Sequence, residues 1–396
     1  MIVDAPRRAV TSRPQPLAAS AAGRFVRNLD WVLLLAVVAL VAYGLWAVDG
    51  ITRFDVPGDP NYHLDRQVVA VVLGGAGFVL ATLVPPGLYR RHWKLLYALT
   101  LSFMLVVVVV AAEVRGAKRW IDIGPFQFQP SEFGKAAFVL AIAGFLVTRQ
   151  ARIRELRTVL AAVGLGVVPA ALVFVQPDLG TALVYGAALA AVLFLAGVRW
   201  LHLSLLALVL VVAVASVLWF LPSAGIEVLK PYQTARLTGF TNPDSDPAGL
   251  TYNVTQSITA IGAGGLDGRG VREASQTRLD YLPEHATDFV FASFAEQRGF
   301  FGASILLLLY LLVVWRALRV VTVAGDLYGA VVAGGIAVAL LFQIFVNVGM
   351  TMGIAPVTGI PLPFFTVGGS SMMSNLVAIG LLQSIHARGM ATLSRR

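Results

Sequence analysis

Residues 158–197 read TVLAAVGLGVVPAALVFVQPDLGTALVYGAALAAVLFLAG, and the one charge among these forty residues is Asp178. Each half supplies about the 20 apolar residues that a helix needs to cross about 30 Å of hydrocarbon at 1.5 Å per residue. Between the halves stands Gln176-Pro177-Asp178, where the proline marks a turn and the carboxylate can open the next helix. Two spans that nearly touch in sequence describe a helical hairpin immersed in lipid.

Working outward, eight more such stretches appear, giving ten predicted spans at 29–48, 67–84, 94–112, 130–147, 158–176, 179–197, 202–221, 297–315, 328–349 and 366–387. The expected fold class is an all-α polytopic membrane protein. Residues 1–28 form an N-terminal tail, 29–387 a ten-span membrane domain and 388–396 a C-terminal tail. The first apolar run is too long for a signal-peptide core and no small-residue cleavage site follows it, so it reads as a retained span. The long hydrophilic connection, residues 222–296, mixes Tyr232, Phe240, Tyr252 and Tyr281 with Val254, Ile258, Ile261 and Leu266 at partly helical spacing. That pattern predicts short amphipathic helices folded over one end of the bundle.

Composition agrees. Of the 396 residues 58% are hydrophobic and 13% charged, against about 25% charged in a soluble domain. The chain has no cysteine, which excludes disulfides and thiolate metal sites. Its net charge of +9 would suggest a polyanion partner in a soluble protein, but here the distribution matters more than the sum. With a cytoplasmic N-terminus, the inner segments collect 18 of the 30 basic residues, among them Arg90, Arg91, Arg149, Arg152, Arg316 and Arg388, against four of the 21 acids. The excess is a positive-inside signal that sets both termini in the cytoplasm, and no nucleic acid is implied.

Four polar clusters interrupt the apolar sequence, and this topology puts all four on the outer side. Charges in or at the edge of a bundle are costly and tend to mark a site. The first runs from Arg115, Lys118 and Arg119-Trp120-Ile121-Asp122 to Gln129-Pro130-Ser131-Glu132 and Lys135. Glu132 and Lys135 are three apart, so on a helix that begins at Pro130 they share a face and can pair; a purely structural ion pair is the competing reading. The second is Gln176-Pro177-Asp178-Leu179-Gly180-Thr181, where helix capping alone would account for Asp178. The third is Tyr232-Gln233 with Arg236, then Asn242-Pro243 and Asp244-Ser245-Asp246, which reads as a turn because no calcium-loop spacing follows. The glycine-rich run 262–270 matches no nucleotide-binding pattern and reads as tight turning.

The fourth cluster is Leu282-Pro283-Glu284-His285-Ala286-Thr287-Asp288-Phe289, leading to Glu296-Gln297-Arg298-Gly299. A carboxylate set where water meets apolar residues is suited to general-base chemistry; capping of the next span with Thr287 is the plainer alternative. Further on, Pro361-Leu362-Pro363-Phe364 breaks the chain, and Gly368-Gly369-Ser370-Ser371 should let another helix approach the tenth span closely.

Together these motifs resemble the SEDS family (shape, elongation, division and sporulation: RodA, FtsW and SpoVE), over essentially all ten spans. Gly349 to Gly353, Thr358-Gly359-Ile360-Pro361 and the ending Ser384-Ile385-His386 bring the chain nearer the RodA branch than the FtsW branch. It departs from the family's pattern at Glu284-His285-Ala286, where a His or Gln usually precedes the Thr-Asp pair. Thr366-Val367 stands for the usual Ser-Tyr, and Gln297-Arg298 for an acidic and apolar pair.

The resemblance implies a peptidoglycan glycosyltransferase that polymerises lipid II with inversion and release of undecaprenyl diphosphate. Its implied partners are a class B penicillin-binding protein and other proteins of the elongation complex, at the bacterial inner membrane. It implies Asp288 as the catalytic base. Arg119, Lys135, Arg236 and Arg278 are then candidates for binding the diphosphate, with Glu132 orienting Lys135 and Asp178 shaping the same cavity. Pro283, Glu284, Thr287, Ser370 and Ser371 are expected beside the site. The metal requirement is left open, with a divalent cation, Mg or Mn, as the candidate. Three other readings stand beside this one, the first being an FtsW-like polymerase of cell division. A flippase for the lipid-linked precursor fits ten spans, although transporters usually place sites at the midplane between repeated halves; a scaffold would only recruit the crosslinking partner.

Overall fold

The computed structural model describes residues 21–110, 119–123, 126–225 and 250–394. Arg115, Lys118, Arg236 and the 242–247 turn lie outside the described residues. The described chain is helical throughout apart from one small hairpin. The helices are α1 (Ala21–Arg27), α2 (Trp31–Ile51), α3 (Tyr62–Leu83), α4 (Pro86–Arg91), α5 (Trp93–Val110), α6 (Pro130–Thr148), α7 (Leu156–Val175), α8 (Leu179–Leu195) and α9 (Trp200–Ala215). After them come α10 (Leu250–Gly264), α11 (Gly270–Glu273), α12 (Ser275–Arg278), α13 (Val290–Val323), α14 (Leu327–Thr351) and α15 (Gly369–Leu393).

Among the described residues, eight helices are long and apolar enough to cross a membrane: α2, α3, α6, α7, α9 with its continuation to Ser223, α13, α14 and α15. Two more, Trp93–Val109 within α5 and Leu179–Leu195, are apolar but shorter, so each of the ten predicted stretches overlaps one of these helices. The largest difference is at α13, which starts at Val290 and runs to Val323, well beyond the predicted 297–315. Its first turns hold Ser293, Glu296 and Gln297, all buried, and polar residues that find partners inside a protein escape a reading based on hydropathy.

Two three-residue strands, β1 (Ile121–Ile123) and β2 (Phe126–Phe128), pair antiparallel with Ile121 opposite Phe128. This hairpin is a small addition to an otherwise helical fold, as expected, and its alternating Ile-Asp-Ile and Phe-Gln-Phe pattern has the period of two that strands require.

The best-buried helices, α6, α14 and α15, form the centre; α15 packs along α3, α14 against α13 and α8, and α13 against α2. Helix α9 stands at the margin, with none of its span buried. At one end of the bundle Asp30 caps α2 by accepting from Leu33 N, and its carboxylate takes two hydrogen bonds from Arg316 Nε (3.1 and 3.0 Å) and one from Nη2 (2.7 Å). Gln383 brackets the same residue, accepting from Asp30 N and donating to Asp30 O, both at 2.8 Å. The start of α2 therefore meets α13 and α15 here.

The opposite end carries the described parts of the first, second and fourth polar clusters. Helix α10 lies against α13 and α14: Ser257 donates to Thr351 O at 2.7 Å, and Ala260 with half-buried Val254 and Ile261 packs on Leu282, Phe289 and Met350. Ile258 and Leu266, the other two apolar residues of the predicted face, remain exposed. The glycine run after α10 docks backbone to backbone on α13: a Cβ at Gly264 would collide with Ala295 O, and α13 kinks at Gly299 (φ 64°). Gly368 has room for a Cβ, whereas further along α15 Gly380 and Gly389 meet neighbouring backbone, at Phe78 O and Val323 O.

Candidate functional site

Helix α6 begins at Pro130, whose missing N–H costs nothing at a first helical position. This places Ser131, Glu132 and Lys135, all buried, in the first two turns. Lys135 Nζ donates to Glu132 Oε2 at 2.8 Å and to Gln343 Oε1 of α14 at 2.7 Å, while Ser374 Oγ of α15 reaches the same Glu132 oxygen at 3.4 Å. The i,i+3 pairing read from sequence is present, and three helices share it. Glu132 Oε1 has no hydrogen-bond partner, and the residue borders a cavity with about 320 Å³ of empty space, including its open mouth, walled by Val139, Ile336, Leu340 and Ala378.

Asp178 caps α8 as the sequence suggested, accepting from Thr181 N at 3.0 Å. It does more: its other oxygen accepts from Gln129 Nε2 at 3.0 Å, and Gln129 N donates to Ser370 Oγ, which in turn donates to Gln127 O. The first two clusters and the Gly-Gly-Ser-Ser segment are thereby one network. Ser371, also buried, accepts from Asn375 Nδ2 at 3.2 Å. Gly180 lets the start of α8 lie against the 358–360 segment, since a Cβ there would stand 2.6 Å from Thr358 O and from Ile360 Cγ1.

Arg119 donates through Nε to Gln176 O (3.1 Å) and through Nη2 to Pro177 O, so its guanidinium clamps the α7–α8 turn beside Asp178. Arg278 is exposed at the end of α12, apart from this network.

Asp288 is half-buried in the turn before α13. That helix has Phe289 as its N-cap residue and no side-chain cap, so capping by Thr287 is not what the residue does. Thr287 Oγ1 donates instead to Glu284 Oε2 at 2.7 Å, inside a turn in which Glu284 adopts a left-handed conformation (φ 56°) and its carbonyl accepts from both Thr287 N and Phe289 N. Pro283 enters this turn beside the fully buried Leu282.

Four consecutive carbonyls then each take a hydrogen bond from a group outside the turn. His285 O accepts from Ser293 Oγ (3.0 Å), Ala286 O from Val367 N (3.1 Å), Thr287 O from Thr366 Oγ1 (3.2 Å) and Asp288 O from Asn347 Nδ2 (3.0 Å). Asn347 also donates to Ile360 O at 2.8 Å. Gln67 ties α3 to the same region, donating to Thr366 O and accepting from Gly368 N, both at 3.1 Å. The backbone that carries Asp288 is thereby fixed from α13, α14 and the 366–367 segment.

Sequence reasoning singles out neither Gln343 nor Asn347. Each is a lone polar residue within the apolar α14, and the one available signal is their spacing of four, which stacks them on one helix face. Glu296, at the end of the fourth cluster, carries no role in the sequence reading. It is fully buried and accepts from Gln276 N, Thr277 N and Thr277 Oγ1 (2.9, 3.0 and 2.7 Å), fastening α12 to α13.

Among the described residues no group of three or more His, Asp or Glu side chains stands close enough to hold a metal ion. Mg or Mn stays a variable of the assay, and Arg119, Lys135 and Arg278 are the candidate cations whose placement the structure gives.

A bundle of long apolar helices with the Asp288 turn held by its backbone carbonyls and a buried Glu132–Lys135 pair within it defines a helical polytopic membrane protein. The chain belongs to the family FTSW_RODA_SPOVE, described as "Cell cycle protein", whose profile matches residues 27–390. It is similar to the peptidoglycan glycosyltransferase MrdB of Escherichia coli K12, 36% identical over 91% of this chain and 94% of that one. Stage V sporulation protein E of Bacillus subtilis is 35% identical over 89% of this chain and 94% of its own length. Among solved structures, a chain of a peptidoglycan synthase complex that coordinates polymerization and crosslinking matches with TM-score 0.77 and 32% identity, covering 91% of this chain and 98% of that one. The rod shape determining protein RodA of Thermus thermophilus matches with TM-score 0.66 and 30% identity over 90% and 96% of the two chains.

Proposed function

We propose that the chain is a peptidoglycan glycosyltransferase of the RodA type that polymerises lipid II into glycan strands during cell elongation. It works in the bacterial inner membrane with both termini cytoplasmic, beside a class B penicillin-binding protein that crosslinks the product. The names of the relatives support the activity class, and the feature of this chain that carries the reading is the turn 285–288, whose four carbonyls are all held from outside it.

In this mechanism the Asp288 carboxylate accepts the proton of the acceptor's GlcNAc 4-hydroxyl as that oxygen attacks the donor's anomeric carbon. The anomeric C–O bond to the diphosphate breaks with inversion. A diphosphate leaves without a strong general acid but needs positive charge, and Arg119, Arg236 and Arg278 are the cations proposed to approach it. Lys135 is held by Glu132 and Gln343, so its charge acts from within the wall of the cavity, and Asp178 keeps the Arg119 turn in place.

The test is lipid II polymerisation by the purified chain with its partner, for wild type, Asp288→Ala and Asp288→Asn. Loss of a general base removes typically 10²–10⁴-fold in rate, so a fall of at least about 100-fold is expected in both variants, with melting temperatures near wild type. Normal polymer from folded Asp288→Ala would overturn the assignment.

A further inference from the structure

The Asp288 turn has one more attachment, and it is ionic. Asp55, in the loop between α2 and α3, lies with Oδ1 3.0 Å from His285 Nε2 and Oδ2 3.8 Å from His63 Nε2. On the other side of the same imidazole, Asp280 Oδ1 is 3.5 Å from His285 Nδ1, a contact of charge in which Nδ1 makes no hydrogen bond. His285 is mostly buried and Asp280 mostly exposed. The charged groups facing this cluster are thus Asp55 from the α2–α3 loop, Asp280 after α12, and His63 and Arg66 from α3, with Arg66 also stacked on Tyr62 at 4.1 Å. Burial pushes the His285 pKa down, but the hydrogen bond and charge of Asp55, with Asp280 behind it, outweigh burial and raise it above the ordinary 6.5.

We propose that His285 is a positioning residue for Asp288: its imidazolium bridges Asp55 and Asp280 and so locks the turn carrying the carboxylate to the α2–α3 loop. The proposal rests on the reading of Asp288 as the base. In sequence His285 is three residues from Asp288, and its own carbonyl is the first of the four that are held. A protonated imidazole donates from Nε2 to Asp55 and attracts Asp280 by its charge, whereas the neutral ring has no charge to attract either carboxylate.

The sign follows from the raised pKa. The lock is complete below it and is lost as pH rises through it, giving the polymerisation rate an alkaline limb. Asp288, which must be ionised, fails in the opposite direction, as pH falls.

The experiment measures lipid II polymerisation by the full chain with its partner from about pH 5.5 to about pH 9, for wild type, His285→Gln, Asp55→Asn, His63→Gln and Asp288→Ala. His285→Gln and Asp55→Asn should lower the rate on the acid side roughly tenfold, the scale of a lost charge-assisted hydrogen bond, down to the wild type's alkaline level, and flatten the alkaline limb. His63→Gln should retain the limb. An unchanged limb in His285→Gln, or a limb lost in His63→Gln and kept in His285→Gln, overturns the proposal. Polymer from Asp288→Ala overturns the base assignment instead, so the two failures are distinguishable. If His285→Gln does not fold, amide exchange of residues 284–289 in the wild type decides: protection, corrected for intrinsic rate, must fall across the same pH range, and constant protection refutes the lock.

Discussion

Lys135 donates to Gln343 at 2.7 Å across 208 positions of sequence, and this bond joins the two halves of the site. One helical turn beyond Gln343, Asn347 holds the carbonyl of Asp288. A single face of α14 thus touches both the buried ion pair and the Asp288 turn, through two amides about 6 Å apart along the helix axis.

Removing one partner of a buried ion pair leaves an uncompensated charge, at a cost of about 3–5 kcal/mol. Lys135→Met and Glu132→Gln should therefore each lower the melting temperature sharply in detergent. The double variant, which buries no charge at all, should cost less than the sum of the two, and strict additivity would show that the pair is uncoupled.

Asn347→Leu removes the donor shared by Asp288 O and Ile360 O. An unpaired buried carbonyl costs about 1–3 kcal/mol, and the Asp288 turn loses one of its four outside hydrogen bonds. We expect kcat to fall at least about tenfold with KM little changed, because the substrate's remote contacts stay in place. A rise in KM alone would show that Asn347 serves binding and not the mounting of the base.

Two glycines on α8 separate packing from propensity. At Gly180 a Cβ meets Thr358 O and Ile360 Cγ1, whereas at Gly186 nothing lies within 4 Å. Gly180→Ala should displace the 358–360 segment and depress both stability and polymerisation. Gly186→Ala should be neutral or stabilise by up to about 1 kcal/mol, as alanine does in a helix interior. Thermal melts of the two variants side by side give the answer.

Glu296→Gln exchanges one acceptor oxygen for an amide that confronts the Gln276 and Thr277 donors. The α12–α13 connection should loosen, read as faster proteolysis or amide exchange over residues 270–289, while α6 and α8 keep wild-type protection. Unchanged exchange there would show that this buried carboxylate fastens nothing.

Much of the fold is readable in the sequence where one physical signal dominates. Apolar runs locate the ten helices because lipid imposes both length and composition. The Glu132–Lys135 pair and the Asp178 cap are legible because both are local, spanning three residues. The 290–296 turns of α13 are not, since Ser293, Glu296 and Gln297 look hydrophilic until their partners, 8, 19 and 247 positions away, are known. Gln67, Gln343 and Asn347 escape for the same reason: a solitary amide in an apolar helix belongs to no motif, and the groups it bonds are set by tertiary packing alone. The hairpin at 121–128 is too short for periodicity to register against its basic, aromatic surroundings.

The pairing of Asp30 with Arg316 has a consequence for how the molecule is made. The two residues are 286 positions apart, and Gln383, which brackets Asp30, is 353 positions away. At about 5–20 residues per second of synthesis, roughly 15–60 s separate the emergence of the acid from that of its cation. Throughout that interval the first long helix has its entry carboxylate without the guanidinium that neutralises it, and only the last helix completes the bracket. The polar bracket around the start of α2 is therefore complete only once α15 has been made, so of these contacts the ones that hold the first long helix are among the last the chain can form.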